Sequence, residues 1–375
     1  MSCRAFCRRL LLAIGVFYLV TFATVTAAAD SLEIGSAAPD FNLPGVDGKQ
    51  HRLQEFQDAD VLAVIFTCNH CPTAQAYEER VKRLAADYKD KKVAVVAISP
   101  NDPEALRLDE FGYSDVGDSL EDMKIRAKDA GFNFPYLYDG ENQRVSRAYG
   151  PLATPHAFIF DRARKLRFTG RIDNSDKPQL ATSHDTRSAI DALLAGRPVP
   201  VEKTKVFGCS PKWSDKRESA KKSLDAWAEE EVTLKPIDES GIKVLVGNDS
   251  KKLRLINVWA TWCGPCIEEL PEFVAIHRMY RGRGFELVTI SADSPEEQAK
   301  ALEVLKKKQV AAANYLFNGS DKYRLMEAVD KESSGPVPYT VLIAPGGKVL
   351  YRKSGECEPP AIKKAIVTHL GRTYK

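Results

Sequence analysis

The chain of 375 residues has almost no excess of charge of one sign. Its 54 lysines and arginines stand against 51 aspartates and glutamates, and Arg4, Arg8 and Arg9 account for the difference. Beyond that short basic stretch the balance is zero, so the electrostatic footprint of a nucleic-acid-binding protein is missing. Long apolar runs are missing too. The longest covers residues 10–20, extends more weakly to residue 25, and is short for a membrane span. There is no low-complexity tract. Histidine is scarce, and His51, His184, His277 and His369 gather no partners in sequence. Ser183, His184 and Asp185 are contiguous, which is not how a catalytic triad is built in space. No second cysteine pair or Cys/His cluster lies beside another, as a four-ligand zinc site would need. No metal and no cofactor beyond redox-active cysteines is expected.

What is present begins with an export signal over residues 1–29. A basic start, the apolar run and Ala27-Ala28-Ala29 before Asp30 fit a cleaved leader. The chain would meet a membrane only if that segment were retained as an anchor. Cys3 and Cys7 would leave with it, and Cys68, Cys71, Cys209, Cys263, Cys266 and Cys357 would remain. The expected location is the periplasm or the outer face of the cytoplasmic membrane, where disulfides persist.

The length suggests two domains, and a strand–helix pattern occurs twice. In the second half a strand at 253–259 leads into a helix. Strands at 285–291, 315–317, 339–343 and 349–352 follow, with helices at 295–308, 323–329 and 361–370. In the first half the order is a strand at 61–67, a helix striped by Ala74, Tyr77, Val81, Leu84 and Tyr88, a strand at 93–98, a hairpin at 157–160 and 165–169, and a helix at 185–194. Such alternation means an α/β fold, a central mixed sheet flanked by helices, built twice in tandem. The boundaries read as domains at 30–200 and 232–375 joined by a connecting segment, 201–231, that contains Cys209 and a charged helix. Residues 99–118, rich in acids, Gly and Pro, read as a long loop, either a surface insert or an Ω-loop near the active face.

Residues 259–266, Trp-Ala-Thr-Trp-Cys-Gly-Pro-Cys, carry the most chemistry. Cys263 falls at a strand-to-helix turn, where unpaired N–H groups and the helix dipole favour an anion. That makes it the attacking thiolate. Cys266 lies one turn on, placed to close a disulfide and release a mixed disulfide. This octet and its flanks resemble the thioredoxin superfamily, most closely its exported TlpA/ResA branch. Residues 34–43 and the first half resemble a redoxin, or AhpC/TSA-like, thioredoxin-fold domain. The expected fold is therefore two tandem thioredoxin-like folds.

Cys68-Asn69-His70-Cys71 reads as a second redox site. His70 is expected to occupy the place of Pro265. An imidazolium there would stabilise the thiolate and raise the reduction potential. Electrons would then run from Cys263/Cys266 to Cys68/Cys71 as an internal relay. The resemblance implies that Pro155 and Pro338 are cis and that Thr154 and Val337 before them, with Trp262, meet a bound polypeptide. Thioredoxin's buried aspartate is replaced by Asn257 in the second half and by Leu62 in the first. Glu269, three residues after Cys266, matches the acid that the TlpA/ResA resemblance implies there, and is the acid/base candidate for Cys266. Cys209, in Phe-Gly-Cys-Ser-Pro-Lys-Trp, is a possible third redox cysteine. Cys357 has no motif support, although a Cys209–Cys357 disulfide stays open.

These features imply a thiol–disulfide oxidoreductase acting on exported polypeptides with cysteines or disulfides, fed by an upstream thiol reductant. The resemblance adds a reducing role, such as keeping apocytochrome cysteines reduced in cytochrome c biogenesis. Two alternatives concern the first domain. A peroxiredoxin-type peroxidase would need a Thr three residues before its cysteine, and neither Cys68 nor Ile65 supplies it. A Cu(I) chaperone could use soft thiolates with His156, but with a different cysteine spacing.

Overall fold

The computed structural model describes residues 31–333 and 335–374. The expected signal over 1–29 lies outside them. The first unit opens with a small hairpin, β1 (Asn42–Pro44) and β2 (Gln50–Arg52). Then come β3 (Val61–Phe66), α1 (Pro72–Tyr88), β4 (Val93–Ser99), α2 (Leu120–Ala130), β5 (Tyr136–Tyr138), α3 (Arg144–Tyr149), β6 (His156–Phe160), β7 (Leu166–Gly170) and α4 (Asp185–Leu194). Helix α5 (Arg217–Ala228) leads to the second unit. That unit runs β8 (Lys235–Ile237), α6 (Glu239–Gly247), β9 (Leu253–Trp259), α7 (Gly264–Tyr280), β10 (Phe285–Ser291), α8 (Gln298–Lys307), β11 (Ala313–Phe317), α9 (Lys322–Val329), β12 (Tyr339–Ile343), β13 (Val349–Ser354) and α10 (Pro359–Leu370).

Each unit has its own mixed sheet, in the orders β5-β4-β3-β6-β7 and β13-β12-β9-β10-β11-β8. The strand that leads to a cysteine motif is central in each. It has a parallel neighbour on one side and an antiparallel one on the other. Central strands covered on both faces read as unbroken apolar runs, and every residue of β3, Val-Leu-Ala-Val-Ile-Phe, is buried. Apolar clusters fill both faces of the first sheet, and a larger one fills the second unit. The chain is thus two thioredoxin-like folds in tandem. Among the described residues no helix is long and apolar enough to cross a membrane.

The 99–118 segment is not a surface insert. Asn101, Asp102, Ser114 and Asp118 are buried, and Leu108 and Phe111 pack against the core of the second unit. Tyr280 Oη donates to Ser114 O (2.7 Å) and Arg283 to Gly112 O (2.7 Å). Arg283 also lies 3.5 Å from the centroid of the Tyr113 ring. The C-terminal tail closes the seam, with Arg372 donating twice to Asp115 (2.7 and 2.6 Å) and Tyr374 against Tyr113. The connecting segment as far as Lys212 likewise packs on the first unit. Thr204 N donates to Thr169 O, Thr154 N to Cys209 O and Lys212 N to Asn101 Oδ1.

Candidate functional site

The two units superpose by register, and this changes the reading of the first motif. In each sheet the antiparallel pair begins just after a cis X-Pro bond, at Thr154-Pro155 and Val337-Pro338. His156 faces Phe66, and Tyr339 faces Val258. Five residues beyond Phe66 and Val258 stand Cys71 and Cys263, and each is the N-cap of a 17-residue helix. The correspondence holds at a constant separation of 192 residues, from Cys71 and Cys263 through the helix ends Tyr88 and Tyr280 to the strand bounds Val93 and Phe285, Ser99 and Ser291. Cys71, not Cys68, therefore occupies the place of Cys263. Cys68 matches Ala260, His70 matches Trp262 rather than Pro265, and Ala74 stands where Cys266 does. Both prolines are cis, as the resemblance implied.

In the first site Cys71 Sγ accepts a hydrogen bond from Ala74 N (3.4 Å) and lies 3.4 Å from Thr154 O. Cys68 Sγ shares a hydrogen bond with Thr154 Oγ1 (3.2 Å). The Cys209 side chain packs against the buried cluster of Cys68, Cys71 and Ala74. Burial pushes Cys71 up, but the Cys209 and Cys68 thiols, the His70 charge and the Ala74 N–H outweigh it and hold Cys71 well below the usual thiol range. Cys68 goes the other way, raised by burial and by its neighbours Cys71 and Asp118. Within this site Cys71 is the thiol whose surroundings favour the anion.

His70 owes its charge to Asp118, which sequence reasoning missed. His70 Nδ1 donates to Asp118 Oδ2 (2.6 Å), and the same carboxylate accepts from Asn101 Nδ2, Asn69 N and His70 N. Burial disfavours both charges, yet each raises the other's ionised population, so His70 is shifted up and Asp118 down. The residue that orients the histidine comes from the end of the 99–118 segment, which the second unit clamps.

In the second site Cys263 and Cys266 form a disulfide, with Cα atoms 5.3 Å apart. Cys266 N also donates to Cys263 Sγ (3.3 Å). Glu269 is buried beneath it. Its Oε1 accepts from Asn257 Nδ2 (3.0 Å) and its Oε2 from Cys357 N (2.9 Å). Burial raises its pKa despite those bonds, as an acid/base group requires. Cys357, which had no motif, thus sits beside Glu269, and burial pushes its thiol up to about 12. Cys209 belongs to the other site, so the Cys209–Cys357 disulfide left open by the sequence does not form. Trp262 is 55% exposed. Pro265, Pro338, Lys353, Gly355 and Cys357 line an open cleft of about 630 Å³.

The AhpC/TSA family profile matches residues 34–169 and again 228–352. The chain belongs to the AhpC/TSA family. It is similar to thiol-disulfide oxidoreductase ResA of Bacillus cereus (strain ZK / E33L), 29% identical over 126 residues, which are 32% of this chain and 64% of that protein. ResA of Geobacillus thermodenitrificans is 27% identical over 174 residues, 45% of this chain and 87% of that one. The chain thus spans less than two thirds of the first of these relatives. An uncharacterized conserved protein from Geobacillus kaustophilus shares 40% identity, with 48% of this chain and 93% of that one covered and a TM-score of 0.43.

Three expectations for this AhpC/TSA chain change with the geometry. First, His156 has both ring nitrogens engaged within the fold. Its Nδ1 accepts from Leu152 N, its Nε2 meets Thr169 Oγ1, and burial lowers its pKa to about 3. Cys68, His70 and Asp118 do bring ligand atoms within 4.8 Å of one another. The Asp118 oxygens are already taken by four donors, which a cation would have to displace. Second, the substrate edge at Thr154 is occupied by the chain's own Cys209. Third, the two sites do not meet. The end of α7 packs on the 99–118 segment beside the first site, whereas Cys266 is at its start. The fourteen steps from Cys266 to Tyr280 span roughly 21 Å at 1.5 Å per residue. Direct exchange needs sulfur in contact with sulfur, so a relay would need the two sites to come together from opposite ends of this helix.

Proposed function

We propose that this chain is a thiol–disulfide oxidoreductase that exchanges disulfides with cysteine-containing polypeptides outside the cytosol, and that its second unit carries the exchange. The observation that carries the reading is the Cys263–Cys266 pair capping α7 beside cis-Pro338 and an open cleft. Cys263 thiolate attacks a substrate disulfide. Cys266, its proton taken by Glu269, then attacks the Cys263 sulfur and frees the reduced substrate. Trp262, Val337 and Pro338 frame the polypeptide. The Bacillus and Geobacillus relatives bear the name of this activity. The basic and apolar start of the chain supports export. An upstream thiol donor restores the pair, no cofactor beyond the cysteines takes part, and apocytochrome cysteines are fitting clients.

The test is reduction of insulin disulfides by the full chain with a thiol donor, alongside Cys263→Ser. Turnover that needs Cys263 supports the reading, and turnover unaffected by its loss refutes it. One observation favours a second reading for the first unit. Cys71 stands alone among the site's three cysteines at a helix N-cap with its pKa lowered, as an attacker of hydroperoxides needs. Consumption of hydrogen peroxide that disappears in Cys71→Ser is its test.

A further inference from the structure

Thr154, the residue before cis-Pro155, is paired antiparallel with Cys209 in an isolated bridge. Its N–H donates to Cys209 O (2.9 Å) and its Oγ1 donates to the same oxygen (3.3 Å). Gly208 permits this approach, since a Cβ there would lie 2.1 Å from Thr154 O. The segment is held on both sides. Phe207 packs on Tyr77, and Lys212 pairs with Glu110. An extended segment that adds a backbone pairing to such an edge and points one side chain into the pocket is how a polypeptide is bound by strand addition. In the second unit the cis-Pro338 edge borders an open cleft instead.

We propose that residues 207–211 are a built-in polypeptide substrate of the first site, and that Cys71 and Cys209, rather than Cys68 and Cys71, form its working disulfide. The proposal rests on the exchange chemistry argued above. Cys71 and Cys68 are 0% and 3% exposed, while Cys209 is half-buried. A disulfide between the two buried sulfurs would be out of reach of any external thiol. In a Cys71–Cys209 disulfide the reachable sulfur is Cys209. An external thiolate attacks it, the Cys71–Cys209 bond breaks, and Cys71 leaves as a thiolate, the better leaving group because its pKa is the lower. A second thiolate attacks the external sulfur of the mixed disulfide on Cys209. It leaves with that sulfur as an external disulfide, and Cys209 takes up a proton. Two external thiols are oxidised and one protein disulfide is reduced. The reverse sequence loads the site from a small disulfide. External polypeptides are kept from Thr154 while the segment is seated.

The test treats the reduced full chain with oxidised glutathione, quenches it in acid, alkylates the remaining thiols after unfolding, and maps linked peptides by mass spectrometry. The expected result is a Cys71–Cys209 linkage that persists in Cys68→Ser and vanishes in Cys209→Ser. A Cys68–Cys71 linkage with Cys209 alkylated, or three alkylated thiols, overturns the proposal. The wild-type map alone decides, so a poorly folding variant does not blunt the test. The Cys263–Cys266 linkage is read on the same samples, and insulin reduction on untreated portions of the same preparations. If they fail, the exchange function falls; if they hold while Cys71–Cys209 is absent, only this inference falls.

Discussion

One helix, α7, begins at an open redox site and ends against a closed one. The two units share a frame that keeps residue-for-residue register from the cysteine N-cap to the end of the next strand, yet they use it differently. In the second unit the resolving cysteine is one helical turn on, an exposed tryptophan flanks the pair, and the cis-proline edge is free. In the first unit that helical position is Ala74. The tryptophan's place is taken by a buried histidine clamped to Asp118, and the edge is filled by Cys209. The comparison teaches that a thioredoxin-like frame fixes only the attacking sulfur and the proline edge. Where the second sulfur comes from, and who may dock, is decided by segments outside the frame.

The largest expected effect tests the asymmetry of resolving thiols. Cys266→Ala should lower insulin turnover by about 10³-fold or more, the scale on which loss of an essential catalytic group acts. It should also leave Cys263 trapped with polypeptides, as seen by mass spectrometry. Equal trapping of polypeptides on Cys71 would erase the contrast between an open and a closed site. Next, Glu269→Gln should slow resolution on the order of 10²-fold, as loss of a positioned acid/base does. Stopped-flow tryptophan fluorescence would follow it, with formation of the mixed disulfide at Cys263 left intact.

Asp118→Asn should cost about 3 kcal/mol, since it leaves a buried partner unpaired. Its pH dependence has a definite sign. The raised pKa of His70 gives stability that is full below its ordinary value near 6.5 and is lost as pH climbs through the folded value. The lowered pKa of Asp118 gives stability that is full above 3.8 and is lost as pH falls through the folded value. The gap in melting temperature between wild type and variant should therefore be widest between about pH 4 and 6.5 and narrow on both sides. A gap that widens above neutral pH would contradict the ion pair. The smallest effect belongs to the tail. Arg372→Ala removes a partly exposed pair with Asp115 and should cost roughly 1 kcal/mol or less. It should also loosen the packing of Tyr374 on Tyr113, read as faster proteolysis of the C-terminal tail.

Much of this frame is legible in sequence because burial on both faces leaves plain marks. Val61–Phe66 is an unbroken apolar strand, and Glu269 is found by its place in a motif with a known likeness. The register of the first motif was legible too, but in the helix rather than the cysteines. The stripe Ala74, Tyr77, Val81, Leu84, Tyr88 matches Cys266, Glu269, Phe273, Ile276, Tyr280, whereas matching one C-x-x-C to the other shifts the frame by three residues. Asp118 and the partnership of Thr154 with Cys209 were not legible. They join residues 48 and 55 positions apart through irregular segments, whose course is set by what they dock on and not by a local period.

The claim that both units attack with the N-cap cysteine is tested most directly by the ultraviolet thiolate absorbance of the reduced protein against pH, compared with Cys71→Ser and Cys68→Ser. The account predicts a thiolate band at a pH well below that of an ordinary thiol that is lost in Cys71→Ser and kept in Cys68→Ser. A band kept in Cys71→Ser and lost in Cys68→Ser would contradict it.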